Sequence, residues 1–178
     1  GLFLQALGDA NPRVQLQAIT GLKRLGAVDA AGALLPLTAS ADPVVPHVAI
    51  DALVSLGASE AALGVLTSAN ASPAVTTGAL RVLQQLHTAP TVTGLIETLS
   101  ATRNPQLRAG ILRALARLHY RDGVWKGTLA EWWGTRPDTT GPYYDPVAWE
   151  ESARIRSVLR AAVVTSTTTP APAAAEVT

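Results

Sequence analysis

Residues 11–26 read NPRVQLQAITGLKRLG, and residues 42–57 read DPVVPHVAIDALVSLG. Both stretches open on a polar-Pro dipeptide, place Val two positions after the Pro, continue through an Ala-Ile pair and close on Leu-x-x-Leu-Gly. Two further copies start at Ser72-Pro73 and Asn104-Pro105, so the four prolines stand 31, 30 and 32 residues apart. Offset 2 from each Pro holds Val14, Val45, Val75 or Leu107, and offset 7 holds Ile19, Ile50, Leu80 or Leu112. Offset 10 holds Leu22, Leu53, Leu83 or Leu115, and offset 13 holds Leu25, Leu56, Leu86 or Leu118. Every one of these positions is aliphatic. Self-similarity at a fixed period of this length marks a repeat architecture.

The chemistry of each unit dictates a helix. Asn, Asp and Ser accept from the free amides of a first helical turn, and Pro in the following position loses no needed donor. Offsets 2, 7, 10 and 13 fall on one broad face of a 3.6-residue period. Gly26 and Gly57 stand where a left-handed C-cap is expected; His87 and His119 take that place in the other two units, at the negative end of the helix dipole. A second apolar segment follows each of the first three helices, at 30–37, 60–66 and 90–99, with Asp29, Ser59 and Thr88 as candidate caps. Pro36 and Pro46 fall inside expected helices and predict a kink or a shortened helix. Each unit is therefore a pair of short antiparallel helices that cannot bury its apolar face alone, and stacking gives an all-α solenoid of about four pairs.

Composition excludes other classes. The chain has 178 residues, 48% of them hydrophobic and 15% charged, with a net charge of +1. That hydrophobicity opposes disorder throughout. The near-neutral balance lacks the electrostatic footprint of a nucleic-acid or acidic-membrane partner. Cys is absent, so disulfides, thiolate chemistry, Cys-ligated metal and covalent c-type haem have no residues here. No apolar run reaches the roughly 20 residues of a membrane span.

The pattern x-Pro-x-Val, Ala-(Ile/Leu), Leu-x-x-Leu-Gly, carried best by residues 11–26 and 42–57, resembles bacterial HEAT repeats of the short class. The resemblance covers roughly residues 1–119 and implies a non-catalytic interaction scaffold. Leu2, Phe3, Leu4 and Leu7 precede the first Asn-Pro as a second helix would, so the first repeat is truncated and the chain is expected to belong to a longer protein. Residues 165–178 are Thr, Ala and Pro with few bulky apolar side chains and read as a linker or tail.

Residues 120–149 break the repeat. Seven of the eight aromatics lie there: Tyr120, Trp125, Trp132, Trp133, Tyr143, Tyr144 and Trp149. Gly and Pro cluster among them, which predicts ordered loop. The expectation is a cap over the helix from Pro105 to Leu118, with Trp125, Trp132 and Trp149 most buried and Tyr143 and Tyr144 left partly exposed. Asp145-Pro146 repeats the cap-plus-Pro start, and Ile155, Val158, Leu159 and Ala162 give one more helical face. Arg156 at offset 10 spoils the register, so this final helix within 120–164 reads as a degenerate repeat.

The string Trp132-Trp133-Gly134-Thr135-Arg136-Pro137-Asp138, running on through Tyr143-Tyr144 to Glu151, resembles a segment of large planctomycete-type proteins. Those combine a dehydrogenase-like propeller, HEAT repeats and a C-terminal c-type cytochrome, and they are exported. The resemblance implies a HEAT-repeat spacer in a periplasmic or extracellular protein. No haem chemistry carries over, since CxxCH is absent here.

Candidate ligand contacts are Arg136, Asp138, Tyr143 and Tyr144, whose polar groups and rings could hold a sugar. The competing reading makes Arg136 and Asp138 a turn-fixing pair, with Trp125, Trp132, Trp133 and Trp149 covering the solenoid end. Glu150 and Glu151 are adjacent on a helix start and cannot flank a glycosidic bond. His47, His87 and His119 occur singly and suggest no metal site. Arg103, Arg108, Arg113, Arg117 and Arg121 form the one basic cluster. An acidic-partner or phosphate site and a solvated helix face both fit it. Because residues 25–80 hold no Lys or Arg, no basic stripe follows the solenoid, and the solvated face is the preferred reading. The sequence thus predicts a non-enzymatic scaffold without cofactor. Its partners are proteins or neighbouring domains rather than nucleic acid or membrane, with a carbohydrate surface at 120–149 as the alternative.

Overall fold

The computed structural model describes residues 1–124 and 145–168, with the side chains of 165–168 excepted. The helices are α1 (Leu2–Ala6), α2 (Pro12–Arg24), α3 (Ala31–Leu34), α4 (Val45–Ser55), α5 (Ser59–Thr67), α6 (Pro73–Leu83), α7 (Ala89–Ala101), α8 (Pro105–Leu118) and α9 (Ser152–Thr168). Single 3-10 turns, Val28–Ala30 and Leu35–Ala39, flank α3. Among the described residues no single helix is long and apolar enough to cross a membrane.

The four polar-Pro starts act as the sequence predicts. The Asn11 carboxamide accepts from the amide of Arg13 at 3.0 Å, and Asn104 Oδ1 accepts from Gln106 and Leu107 at 3.0 and 3.1 Å. Ser72 Oγ accepts from Val75 at 3.3 Å. Asp42 Oδ1 accepts from Val44 and Val45 at 2.8 and 2.9 Å, yet α4 begins only at Val45. Pro46 explains the delay. A helix begun at Pro43 would drive the Pro46 ring into the Asp42 carbonyl, whereas a start at Val45 leaves Pro46 in the first turn. Pro36 acts more severely. Its ring opposes the carbonyl of Gly32, and the expected second helix of the first unit collapses into α3 and the 3-10 turn that holds Pro36.

Helix ends divide the units two and two. Gly26 (φ 63°) and Gly57 (φ 64°) are left-handed, as expected. Each closes a Schellman arrangement: Ala27 N–H reaches Leu22 O at 3.1 Å and Ala58 N–H reaches Leu53 O at 3.0 Å. His87 and His119 do not adopt this conformation, and α6 and α8 end on right-handed residues. Thr88 caps α7 through Thr91 N–H at 3.3 Å. Asp29 and Ser59 make no cap bond; Ser59 Oγ instead hydrogen-bonds the buried Thr91 Oγ1, joining α5 to α7.

The first helices α2, α4, α6 and α8 lie side by side in one row, and α5 and α7 lie in a second row against them. Lys23 Nζ meets Asp51 Oδ2 at 2.5 Å between α2 and α4. The offset-10 leucines Leu22, Leu53, Leu83 and Leu115 are all buried, as expected. Offset 6, which holds Ala18, Ala49, Ala79 and Ile111, is buried just as deeply, with a small side chain in three units and a large one in the fourth. Two expected core positions are corrected. Val14 and Leu25 are exposed, Leu25 at 68%, because both lie in the first unit, at the edge of the row.

The end of the solenoid departs from the sequence reading. Helix α9 packs on α8 as the fourth unit's second helix, and Arg154 bonds Thr93 Oγ1 of α7 at 2.9 Å. Ile155 is fully buried, with Val158 and Leu159 packed on the same core. The final helix is therefore the delayed partner of α8 rather than the start of a fifth repeat. It runs through Thr168, past the expected boundary at 164. Two short strands not expected from sequence, β1 (Arg121–Asp122) and β2 (Pro146–Val147), pair antiparallel at the base of the insertion.

Candidate functional site

Of the candidate residues, Trp125, Trp132, Trp133, Arg136, Asp138, Tyr143 and Tyr144 lie outside the described residues. Trp149 is described, and the structure places it, half-buried, where α8, β1 and α9 converge. Its indole N–H donates to Leu118 O at 2.8 Å. Its ring stands edge-on to His87, with centroids 5.5 Å apart, and carries the Arg121 guanidinium 4.4 Å from its centroid.

Arg121 is the hub of this junction. It donates to His87 O at 2.7 Å and faces Glu150 at 3.8 Å. Its Nε is buried and finds no acceptor among the described residues, while the guanidinium carbon lies over the Trp149 ring. His87 Nε2 bonds Tyr120 O at 2.9 Å, and Ser152 Oγ donates to His119 O at 2.6 Å. His119 is the C-cap of α8, as expected, whereas α6 ends at Leu83 and His87 lies beyond its cap, just before Thr88 at the start of α7. The backbone carbonyls of both histidines, not their rings alone, organise the junction. Among the described residues, no group of three or more His, Asp or Glu could hold a metal ion.

A furrow runs from this junction along the first-helix row. Next to the junction is a cavity of about 620 Å³ lined by Gln84, His87, Arg117, Tyr120, Arg121 and one acid, Asp122. It meets a second, of about 870 Å³, between α6 and α8, lined by Thr77, Leu80, Arg81, Gln84, Gly110 and Arg113. A third, of about 360 Å³, opens toward α4 at His47, Asp51, Arg81 and Gln84. Gln84 borders all three. Between α6 and α8 the floor is tight: a Cβ on Gly110 would stand 2.5 Å from Leu80 Cδ1. Helices α6 and α8 carry Arg81, Arg108, Arg113 and Arg117 and no acid. Arg108 is engaged with Leu99 O at 2.7 Å. The other three are exposed and have no charged partner among the described residues.

Sequence reasoning reached Arg113 and Arg117 but read them as a solvated face. Gln84 carried no signal, because it becomes a site residue only when α4, α6 and α8 are set side by side.

No curated protein matches the chain. Residues 2–84 match the family of HEAT repeats. That match covers α1 to α6, and α7, α8 and α9 continue the same two rows of helices. The described chain is an all-α, HEAT-like solenoid.

Proposed function

We propose that this chain is a non-catalytic docking scaffold whose working surface is the first-helix row. The observation that supports it is the furrow that meets at Gln84 and draws its lining from three successive repeats. Stacked repeats make extended surfaces of this kind, and such surfaces serve binding. The resemblance of residues 132–151 to exported planctomycete-type proteins extends the reading. In it, the scaffold sits in a larger exported bacterial polypeptide with a c-type cytochrome elsewhere, and docks its neighbouring domains or a protein partner.

Two measurements test this. The full open reading frame should hold a secretion signal and a CxxCH motif outside residues 1–178; a frame with neither sinks the exported, cytochrome-linked part. For the docking surface, a photo-crosslinking residue replaces Gln84 in the full-length protein, with Glu97 on α7 as control. Adducts from position 84 that map to one defined segment support the reading. No adducts, or equal adducts from both positions, overturn it.

A further inference from the structure

We infer that the furrow between α6 and α8 binds an extended acidic peptide segment, a proposal that rests on the docking reading above. Charge is divided sharply along the solenoid. Residues 25–80 carry Asp29, Asp42, Asp51 and Glu60 with no Lys or Arg, whereas residues 81–121 carry six Arg against the single acid Glu97. Three of those arginines, Arg81, Arg113 and Arg117, line the furrow without a charged partner among the described residues. Asp122 lines the cavity that holds Arg117 and Asp51 the one that holds Arg81, but neither carboxylate pairs with these arginines. Guanidinium groups not paired with a carboxylate favour an anionic ligand, most strongly one whose carboxylates they can grip two-pronged.

Geometry selects the kind of anion. Arg113 and Arg117 are one turn apart on α8, a rise of about 6 Å. Alternate residues of an extended chain are separated by about 6.6 Å. Acidic side chains at every second position therefore reach successive arginines. The intervening side chains face α6, where Thr77, Leu80 and Gln84 offer a mixed apolar and amide wall. The 11-residue α6 is about 17 Å long, room for about five extended residues. A nucleic-acid backbone fits worse, since the cationic lining ends at Arg81 and the adjoining cavity toward α4 holds Asp51.

The test is fluorescence anisotropy on the whole chain with a fluorescein-labelled Glu-Leu-Glu-Leu-Glu peptide. Binding is expected to weaken with added salt and to fall at least tenfold in the double variant Arg113→Gln, Arg117→Gln. A Gln-Leu-Gln-Leu-Gln peptide should bind at least tenfold more weakly. The arginines are solvent-exposed, so a melting temperature within about 2 °C of the parent shows that the variant still folds. Three results overturn the proposal: no binding of the Glu peptide, equal binding of the Gln peptide, or tighter binding of a short oligothymidylate. Salt-sensitive dimers that the same double variant abolishes would reassign the furrow to a second copy's acidic half. If the peptide fails while crosslinks from position 84 persist, only the acidic class falls. If both fail, the docking reading falls with it.

Discussion

The indole of Trp149 donates to the backbone carbonyl of Leu118 at 2.8 Å, across 31 residues of sequence. Leu118 ends α8, where carbonyls have no partner within the helix. Ser152 does the same for His119 O at 2.6 Å while accepting from Trp149 N–H at 2.9 Å. The C-terminus of α8 is thus capped by residues that also start α9, so ending one helix and docking the next are a single event. The insertion between them is closed at its base by β1 and β2, with Gly123 N–H on Asp145 O at 2.8 Å.

Truncating Trp149 should separate its two contributions. Trp149→Phe keeps most of the ring but loses the bond to Leu118 O, and is expected to cost about 1 kcal/mol. Trp149→Ala also empties the space beside His87 and Arg121, and should cost roughly 2 to 4 kcal/mol, a half-buried Trp standing below the fully buried range. Denaturant unfolding of both variants measures this. A neutral Trp149→Ala would remove the residue from the junction.

Helix α9 depends on Ile155, fully buried between it and the core. Ile155→Ala should cost roughly 2 to 5 kcal/mol and loosen α9 from α8 before the rest unfolds. Hydrogen exchange should then show faster exchange over 152–164 than over α4 or α6. Uniform exchange across all helices would mean that α9 is not a separately releasable element.

Leucines at equivalent repeat positions should behave differently. Leu53 and Leu83 have no exposed surface, and each replacement by Ala should cost roughly 2 to 5 kcal/mol. Leu25→Ala, at a position 68% exposed, should stay within about 0.5 kcal/mol of the parent. Thermal melts of the three single variants decide it, and a large loss at Leu25 would show that the first unit's edge is covered in solution.

The repeat was legible because each unit carries its own instructions. Polar-Pro starts, aliphatic offsets and the Leu-Gly ends all act over one or two turns, where local chemistry decides. Leu25 shows the limit of that logic: its offset matches Leu56, Leu86 and Leu118, but burial needs a neighbour, and at the edge of the row its side chain lies open. The role of α9 was hidden for a related reason. Its apolar face, Ile155, Val158 and Leu159, is plain in the sequence, but nothing local says that the partner is α8, with the insertion in between. The furrow was less legible still. Arg113 and Arg117 announce a basic face, while Gln84, Leu80 and Gly110 acquire meaning only from the packing of α6 on α8.

The two left-handed glycines allow a test in which side-chain contact plays no part. A Cβ placed on Gly26 or Gly57 would meet no atom within 4 Å, yet both residues hold φ near +63°. Substitution by Ala therefore carries only the backbone penalty, about 1 to 2 kcal/mol, and Asn, which tolerates this region, should cost less than Ala. The Schellman bonds from Ala27 to Leu22 and from Ala58 to Leu53 give the penalty somewhere to act, because relaxing φ breaks them. At His87 and His119 the backbone is not left-handed, so Gly there should gain nothing, and His87→Gly should lose stability through its bond to Tyr120 O. Chemical denaturation of Gly57→Ala, Gly57→Asn and His87→Gly gives the ordering. If Gly57→Ala is neutral, or if His87→Gly stabilises, the helix ends of the first two units and the last two are built alike, and the division seen in the backbone fails.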